Sequence, residues 1–160
     1  MKLKPTLLSL ALAVVCGLAQ AVTLRVSNQG DVSSMDPHSL NESLQLSFTG
    51  NVYESLIDRD KNMALTPLLA TKWTQQSPTV WRFELRKGVK FHDGKPFTAD
   101  DVLFSFARAA GDGSDMKSYT NDFKEVRKAG DFAVEIETKA PFPILPDLLA
   151  LVYIMNKQWA

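Results

Sequence analysis

The chain has 160 residues, with 18 basic and 18 acidic side chains, two histidines and one cysteine. This length allows one domain with a buried core, and the apolar fraction of 45% is ordinary for a globular protein. The balanced charge gives no indication of nucleic-acid binding, and a single cysteine excludes an intramolecular disulfide.

The first 21 residues have the pattern of a secretory signal peptide. Lys2 and Lys4 precede an apolar stretch over residues 7–18, and residues 19–21 (AQA) have small side chains where a signal peptidase reads them. The stretch is shorter than the roughly 20 apolar residues that cross a bilayer, which argues against a membrane anchor. We therefore predict export, cleavage after Ala21 and loss of Cys16 with the signal peptide.

Hydrophobic periodicity in the rest of the chain predicts an α+β fold. The first predicted elements are a strand over 23–28, a helix from Asn41 or Ser43 to about Tyr53, a strand over 56–59 and a helical turn over 68–70. Paired strands over 73–76 and 80–85 and a helix from Thr98 to Gly111 follow. The last predicted elements are a hairpin of 123–128 with 132–138, a helix over 147–150 and a strand over 151–155.

Three of these elements have a predicted buried face. These faces are Leu44, Phe48 and Val52 in the first helix, Trp81, Phe83 and Leu85 in the strand over 80–85, and Val102, Phe106 and Ala109 in the helix from Thr98. Asp101 follows Thr98 by three residues, which predicts a capping box. The adjacent acids Asp100 and Asp101 are therefore interpreted as helix-start residues and not as a catalytic pair.

Several segments resemble the family 5 bacterial extracellular solute-binding proteins, which include oligopeptide-, dipeptide- and nickel-binding proteins. The segments stand in the family's order and spacing. They are residues 34–38 (SMDPH), 52–56 (VYESL), 67–73 (PLLATKW), 81–94 (WRFELRKGVKFHDG), 96–102 (PFTADDV) and 140–142 (APF).

The resemblance implies the N-terminal part of a two-lobed periplasmic-binding-protein fold of the second structural type, containing the first strand of lobe one and the family's extra subdomain. Residues 1–21 would be the signal peptide, and residues 22–160 the N-terminal portion of the solute-binding domain. The sequence would cover about the first third of a typical member. On this expectation the chain is a fragment, and the second lobe is absent from it.

The function implied by the resemblance is that of the periplasmic component of an ABC importer, which captures peptides or similar small solutes. The expected partners are the solute and the permease subunits of the inner membrane, with no nucleic acid, no cofactor and a monomeric full-length protein. Two alternatives remain open: a sensor that presents its ligand to a chemoreceptor, and a carrier of nickel or haem-type cargo. Enzymatic activity is not expected, because the chain contains no G-x-S-x-G hydrolase signature.

The resemblance also suggests ligand-binding residues. Asn41 and Ser43 fall where peptide-binding members contact their peptide, and Met35 and Tyr119 are further candidates. Helix capping is an equal alternative for Asn41 and Ser43, and packing against a loop is the alternative for Tyr119. No metal site is expected, because the two histidines, His38 and His92, stand in separate turns.

Overall fold

The computed structural model describes Thr23, residues 25–28 and residues 30–160. It consists of two units, Met1–Gly30 and Asp31–Ala160. The predicted signal peptide over residues 1–21 lies outside the described residues. The predicted strand over 23–28 is wrong for residues 25–28, which have no regular secondary structure. A strand forms only where a neighbour accepts its backbone hydrogen bonds, and the described strands pair among themselves within Asp31–Ala160.

The second unit has a mixed α+β fold, as predicted. Its elements are α1 (Ser43–Thr49), β1 (Ile57–Arg59), β2 (Leu65–Pro67), β3 (Ala70–Ser77), β4 (Val80–Leu85), α2 (Ala99–Ala110), a 3₁₀ turn (Lys117–Tyr119), β5 (Phe123–Lys128), β6 (Ala133–Thr138) and α3 (Leu145–Leu149). Strands β1 and β2 form a hairpin, and the other strands form an antiparallel sheet in the order β3-β4-β6-β5. Within the described part of the chain, no helix is both long and apolar enough to cross a membrane.

The core lies between α2 and one face of the four-stranded sheet. Trp81, Phe83 and Leu85 of β4 are buried, which confirms the alternation predicted for this strand. The predicted buried face of α2 is also confirmed, and the Phe106 ring of this helix meets the Phe123 ring of β5 edge-on at 5.6 Å between centroids. The predicted capping box is present at the start of α2, which fixes where this helix begins.

The prediction for the first helix is wrong in its length and in its buried face. Helix α1 ends at Thr49, and its buried residues are Gln45 and Thr49. Phe48 and Val52 are exposed. The polar residues are buried because each has a backbone partner: the Gln45 amide donates to the Ser34 carbonyl, and the Thr49 hydroxyl donates to the Gln45 carbonyl.

Two short elements also differ from the sequence prediction. Residues 68–70 do not form a helical turn: the chain bends at residues 68–69, and β3 begins at Ala70. The amides of Leu69 and Ala70 donate to the carbonyls of residues 55 and 56 and not to carbonyls within a turn. Residues 151–155 do not form a strand, because pairing there is limited to one bridge between Ser55 and Tyr153.

The β1–β2 hairpin contains a strained residue, Met63, whose φ is 65°. Left-handed backbone costs an L-residue about 1–2 kcal/mol, and glycine avoids most of this cost while losing about 0.5–1 kcal/mol in chain entropy. The Met63 side chain is largely exposed, so its removal sacrifices little packing. We expect Met63→Gly to raise the free energy of unfolding by about 0.5–1 kcal/mol in urea titration. Met63→Ala should give no such gain, and a destabilised glycine variant would contradict this interpretation.

Candidate functional site

The loop over residues 34–42, called here the 34–42 loop, is fixed to helix α2 by a two-point ion pair. The Arg108 guanidinium donates from Nη1 to Asp36 Oδ1 at 2.8 Å and from Nη2 to Asp36 Oδ2 at 2.5 Å. The His38 amide donates to the same carboxylate at 3.0 Å, and Ser34 Oγ accepts from the Asp36 amide at 3.0 Å. These contacts hold the start of the loop in one conformation.

The Asp36 carboxylate stays ionised in this setting. Burial raises its pKa, but the Arg108 hydrogen bond and the His38 N–H outweigh burial, so the pKa lies below its ordinary value of 3.8. The negative charge of Asp36 is therefore present at neutral pH and is matched by Arg108.

His38 anchors the same loop from inside the protein. Its side chain is fully buried, and Nε2 lies 2.9 Å from the Tyr153 carbonyl oxygen. The His38 carbonyl accepts from the Asp115 amide at 3.0 Å and from Ser114 Oγ at 3.3 Å. The other ring nitrogen, Nδ1, is buried without a hydrogen-bond partner among the described residues. Burial lowers the pKa of His38, so the imidazole is neutral at neutral pH.

The structure brings two of the four sequence-predicted binding residues together. The Tyr119 hydroxyl donates to Asn41 Oδ1 at 3.2 Å, so the 3₁₀ turn meets the end of the 34–42 loop. Ser43 is the exposed first residue of α1. Met35 is also exposed, and it lines a small cleft of about 330 Å³ together with Tyr53. Asn41, Ser43 and Tyr119 do not line this cleft.

Helix capping does not account for Asn41 or Ser43. The N-cap of α1 is Glu42, whose carboxylate accepts from the amides of Leu44 and Gln45, each at 3.4 Å. Asn41 and Ser43, on either side of Glu42, do not cap the helix and are exposed at the surface. For Tyr119, the packing alternative holds in part, because its ring packs against the core while its hydroxyl meets the exposed Asn41.

A larger cleft of about 860 Å³, which shares Tyr53, Met155 and Trp159 with the small cleft, was not predicted from the sequence. Its lining includes Val52, Tyr53, Arg86, Phe91, Phe97 and Trp159. His92 and Asp93 also line it, and the Asn156 side-chain amide donates to Asp93 Oδ2 at 3.0 Å. The cleft combines apolar walls with a few polar groups, as small-molecule sites commonly do.

Arg108, which ties the 34–42 loop to α2, is a residue of the candidate site that was not predicted from the sequence. It lies in the last turn of α2, where a basic side chain is expected simply to favour the helix dipole. Its role follows only from its contact with Asp36, which is 72 residues away in the sequence.

The class of the protein follows from its likeness to solved structures. OppA of Burkholderia pseudomallei matches 79% of this chain with a TM-score of 0.76 and 25% identity, over 29% of its own length. DppA of Helicobacter pylori, an ABC transporter-associated periplasmic binding protein solved with the peptide STSA, matches 81% of this chain over 30% of its own, with a TM-score of 0.69 and 28% identity. The described fold is thus of the periplasmic-binding-protein class.

The family follows from the sequence. Residues 64–160 match the family model "Bacterial extracellular solute-binding proteins, family 5 Middle", which is more than half of the chain. The chain belongs to this family. It is similar to the periplasmic oligopeptide-binding protein OppA of Escherichia coli K12, with 34% identity over 92 residues, or 58% of this chain and 17% of that protein. The chain spans less than a third of the length of these relatives.

Proposed function

We propose that the protein is the substrate-binding component of an ABC importer and that it captures short peptides. Membership of the family 5 solute-binding proteins carries this proposal. The similarity to an oligopeptide-binding protein and to a peptide-bound, ABC transporter-associated protein supports peptides as the solute class.

The solute is bound without chemical change on this proposal. Two adjacent acids could suggest acid–base chemistry, but both are occupied in the structure. Asp101 accepts from the backbone amides of Thr98 and Lys157, and Asp100 pairs with Lys128 at 3.3 Å. Capture requires only that the solute bind the closed state more tightly than the open one.

The proposed binding residues are Met35, Asn41, Ser43 and Tyr119. Asn41, Ser43 and Tyr119 offer uncharged donors and acceptors, which suit the N–H and C=O groups of a peptide backbone. The neighbouring carboxylates are engaged elsewhere, Asp36 with Arg108 and Glu42 with the start of α1. This surface would therefore recognise a peptide main chain and not a charged terminus.

We also propose where the protein acts and what it meets. The signal-peptide pattern over residues 1–21 supports export to the periplasm with cleavage after Ala21, and residues 22–160 would be the N-terminal portion of the solute-binding domain. The liganded protein would then dock as a monomer on permease subunits of the inner membrane, as its class of importer component requires.

Uptake by cells tests this function. Deleting the gene should lower the uptake of radiolabelled trialanine at least about tenfold, and a plasmid copy should restore it. Uptake of free alanine should stay unchanged. A deletion that abolishes chemotaxis toward trialanine while leaving its uptake intact would reject the importer role in favour of the sensor alternative.

A further inference from the structure

We propose that His38 is a proton-sensitive latch on the 34–42 loop: the neutral imidazole holds the loop in place, and protonation releases it. The latch itself is a property of the fold. Its consequence, weaker solute capture in acid, rests on the proposed function, because the loop carries Met35 and Asn41.

The latch joins three separate parts of the chain. The imidazole reaches the Tyr153 carbonyl through Nε2 at 2.9 Å, so Nε2 carries the proton and Nδ1 is bare. The backbone of the same residue accepts from the Ser114–Asp115 segment and donates to Asp36 Oδ1 at 3.0 Å. Displacing this one residue would break every one of these contacts.

Protonation would place an unmatched N–H in the interior. Nδ1 is buried and has no partner among the described residues, so a proton added there would find no acceptor in this conformation. A buried donor without an acceptor is costly, whereas the same group in water is satisfied. The protonated ring is therefore better accommodated when the loop moves away and water reaches Nδ1.

The charged groups around the ring do not remove this cost. Arg108 on α2 opposes a second positive charge, and Asp36 on the loop favours it. Both carboxylate oxygens of Asp36 already accept hydrogen bonds from Arg108, so the negative charge of Asp36 is divided between Arg108 and a protonated His38 ring. Asp115 contacts His38 through the Asp115 backbone amide, and Tyr153 contacts it through the Tyr153 backbone carbonyl. Neither of these contacts involves an ionised group.

The direction of the pH effect follows from these contacts. Burial lowers the pKa of His38 in the latched state from its ordinary value of 6.5, while in the released state the ring takes up a proton near 6.5. The released state therefore binds more protons. The latch is fully effective above pH 6.5 and weakens as the pH falls below it.

Hydrogen exchange of the 160-residue chain tests the latch without any solute. Protection factors, taken relative to intrinsic exchange at each pH, should be measured at pH 7.5 and 5.5 for the amides of His38, Ser39 and Asp115. We expect these factors to fall in acid, by up to about tenfold, the limit reached when the latched ring stays neutral at pH 5.5. His92→Gln, which removes the other histidine, should show the same fall.

The decisive variant is His38→Gln, which keeps a side-chain donor for the Tyr153 carbonyl but cannot titrate. Its protection factors should change less than about twofold between the two pH values. An equal acid loss in this variant, or unchanged protection in the unmodified chain, would overturn the latch.

A second measurement covers the case in which His38→Gln does not fold. In the His92→Gln chain, the remaining imidazole C–H resonance should titrate below pH 6.5, and titration at or above 6.5 would overturn the proposal. Neither readout involves solute. Failure of the latch would therefore leave the importer proposal intact, and failure of peptide uptake would leave the latch intact.

Discussion

Replacing Phe83 by alanine should lower the free energy of unfolding by about 3–5 kcal/mol, the cost of a large cavity in a packed core. Phe83 is fully buried in β4, an interior strand of the four-stranded sheet. It stands opposite Trp73 of β3 on one side and Val134 of β6 on the other. The neighbouring strands are fixed by their own hydrogen bonds, so the space cannot close easily.

Phe48→Ala is the matched control for this prediction. Phe48 lies on α1 and is 49% exposed, so the same truncation removes little buried surface. We expect a loss below about 1 kcal/mol in urea unfolding followed by circular dichroism. Similar losses for the two variants would show that the core is not where the structure places it.

Asp101→Ala should lower the free energy of unfolding by about 2–3 kcal/mol, because it leaves several donors without an acceptor. Asp101 is buried at the start of α2. Its Oδ2 accepts from the Thr98 amide at 2.9 Å and from the Thr98 hydroxyl at 3.1 Å, and its Oδ1 accepts from the Lys157 amide at 3.2 Å. One carboxylate thus fixes the helix start and ties it to the last described residues.

Asp100→Ala is the control, because it removes the same charge from the same helical turn. Asp100 is partly exposed and makes surface ion pairs with Lys128 and Lys157 at 3.3 and 3.7 Å. Such pairs contribute little, so we expect a loss below about 0.5 kcal/mol in urea unfolding. If Asp100→Ala destabilised the protein as much as Asp101→Ala, the helix dipole and not the hydrogen bonds of Asp101 would be responsible.

The four strands of the larger sheet could be predicted as two separate pairs because their pattern is local, whereas the pairing of β4 with β6 that joins them was not predicted. In β4, apolar and polar residues alternate from Trp81 to Leu85, and only a strand with one buried face fits that period. The capping box of α2 is equally local, with Thr98 and Asp101 three residues apart. Where neighbouring residues decide the structure, the sequence was sufficient.

Helix α1 shows where this reasoning fails. Its apolar spacing predicted Leu44, Phe48 and Val52 as the buried face, yet Gln45 and Thr49 are the buried residues. The orientation of this short helix depends on the Ser34 carbonyl, which lies 11 residues before Gln45 and accepts its amide. No periodicity within the helix encodes that partner.

The candidate site was predictable only residue by residue. The resemblance pointed to Asn41 and Tyr119 separately, but their contact joins positions 78 residues apart. The ion pair of Asp36 with Arg108 likewise spans 72 residues. Such contacts arise from the packing of the 34–42 loop against α2 and the 3₁₀ turn, which a single sequence does not reveal.

Photo-crosslinking in living cells tests most directly whether this surface receives the solute. A tripeptide with a diazirine side chain would be supplied to cells that express the protein from its own gene. The cells would then be irradiated, and the labelled positions of the protein would be mapped by mass spectrometry. We predict label within residues 35–43 or around Tyr119, and its loss when unlabelled trialanine is in excess. Label confined to the β1–β2 hairpin or the four-stranded sheet, or label that trialanine does not displace, would contradict the proposed solute-binding role.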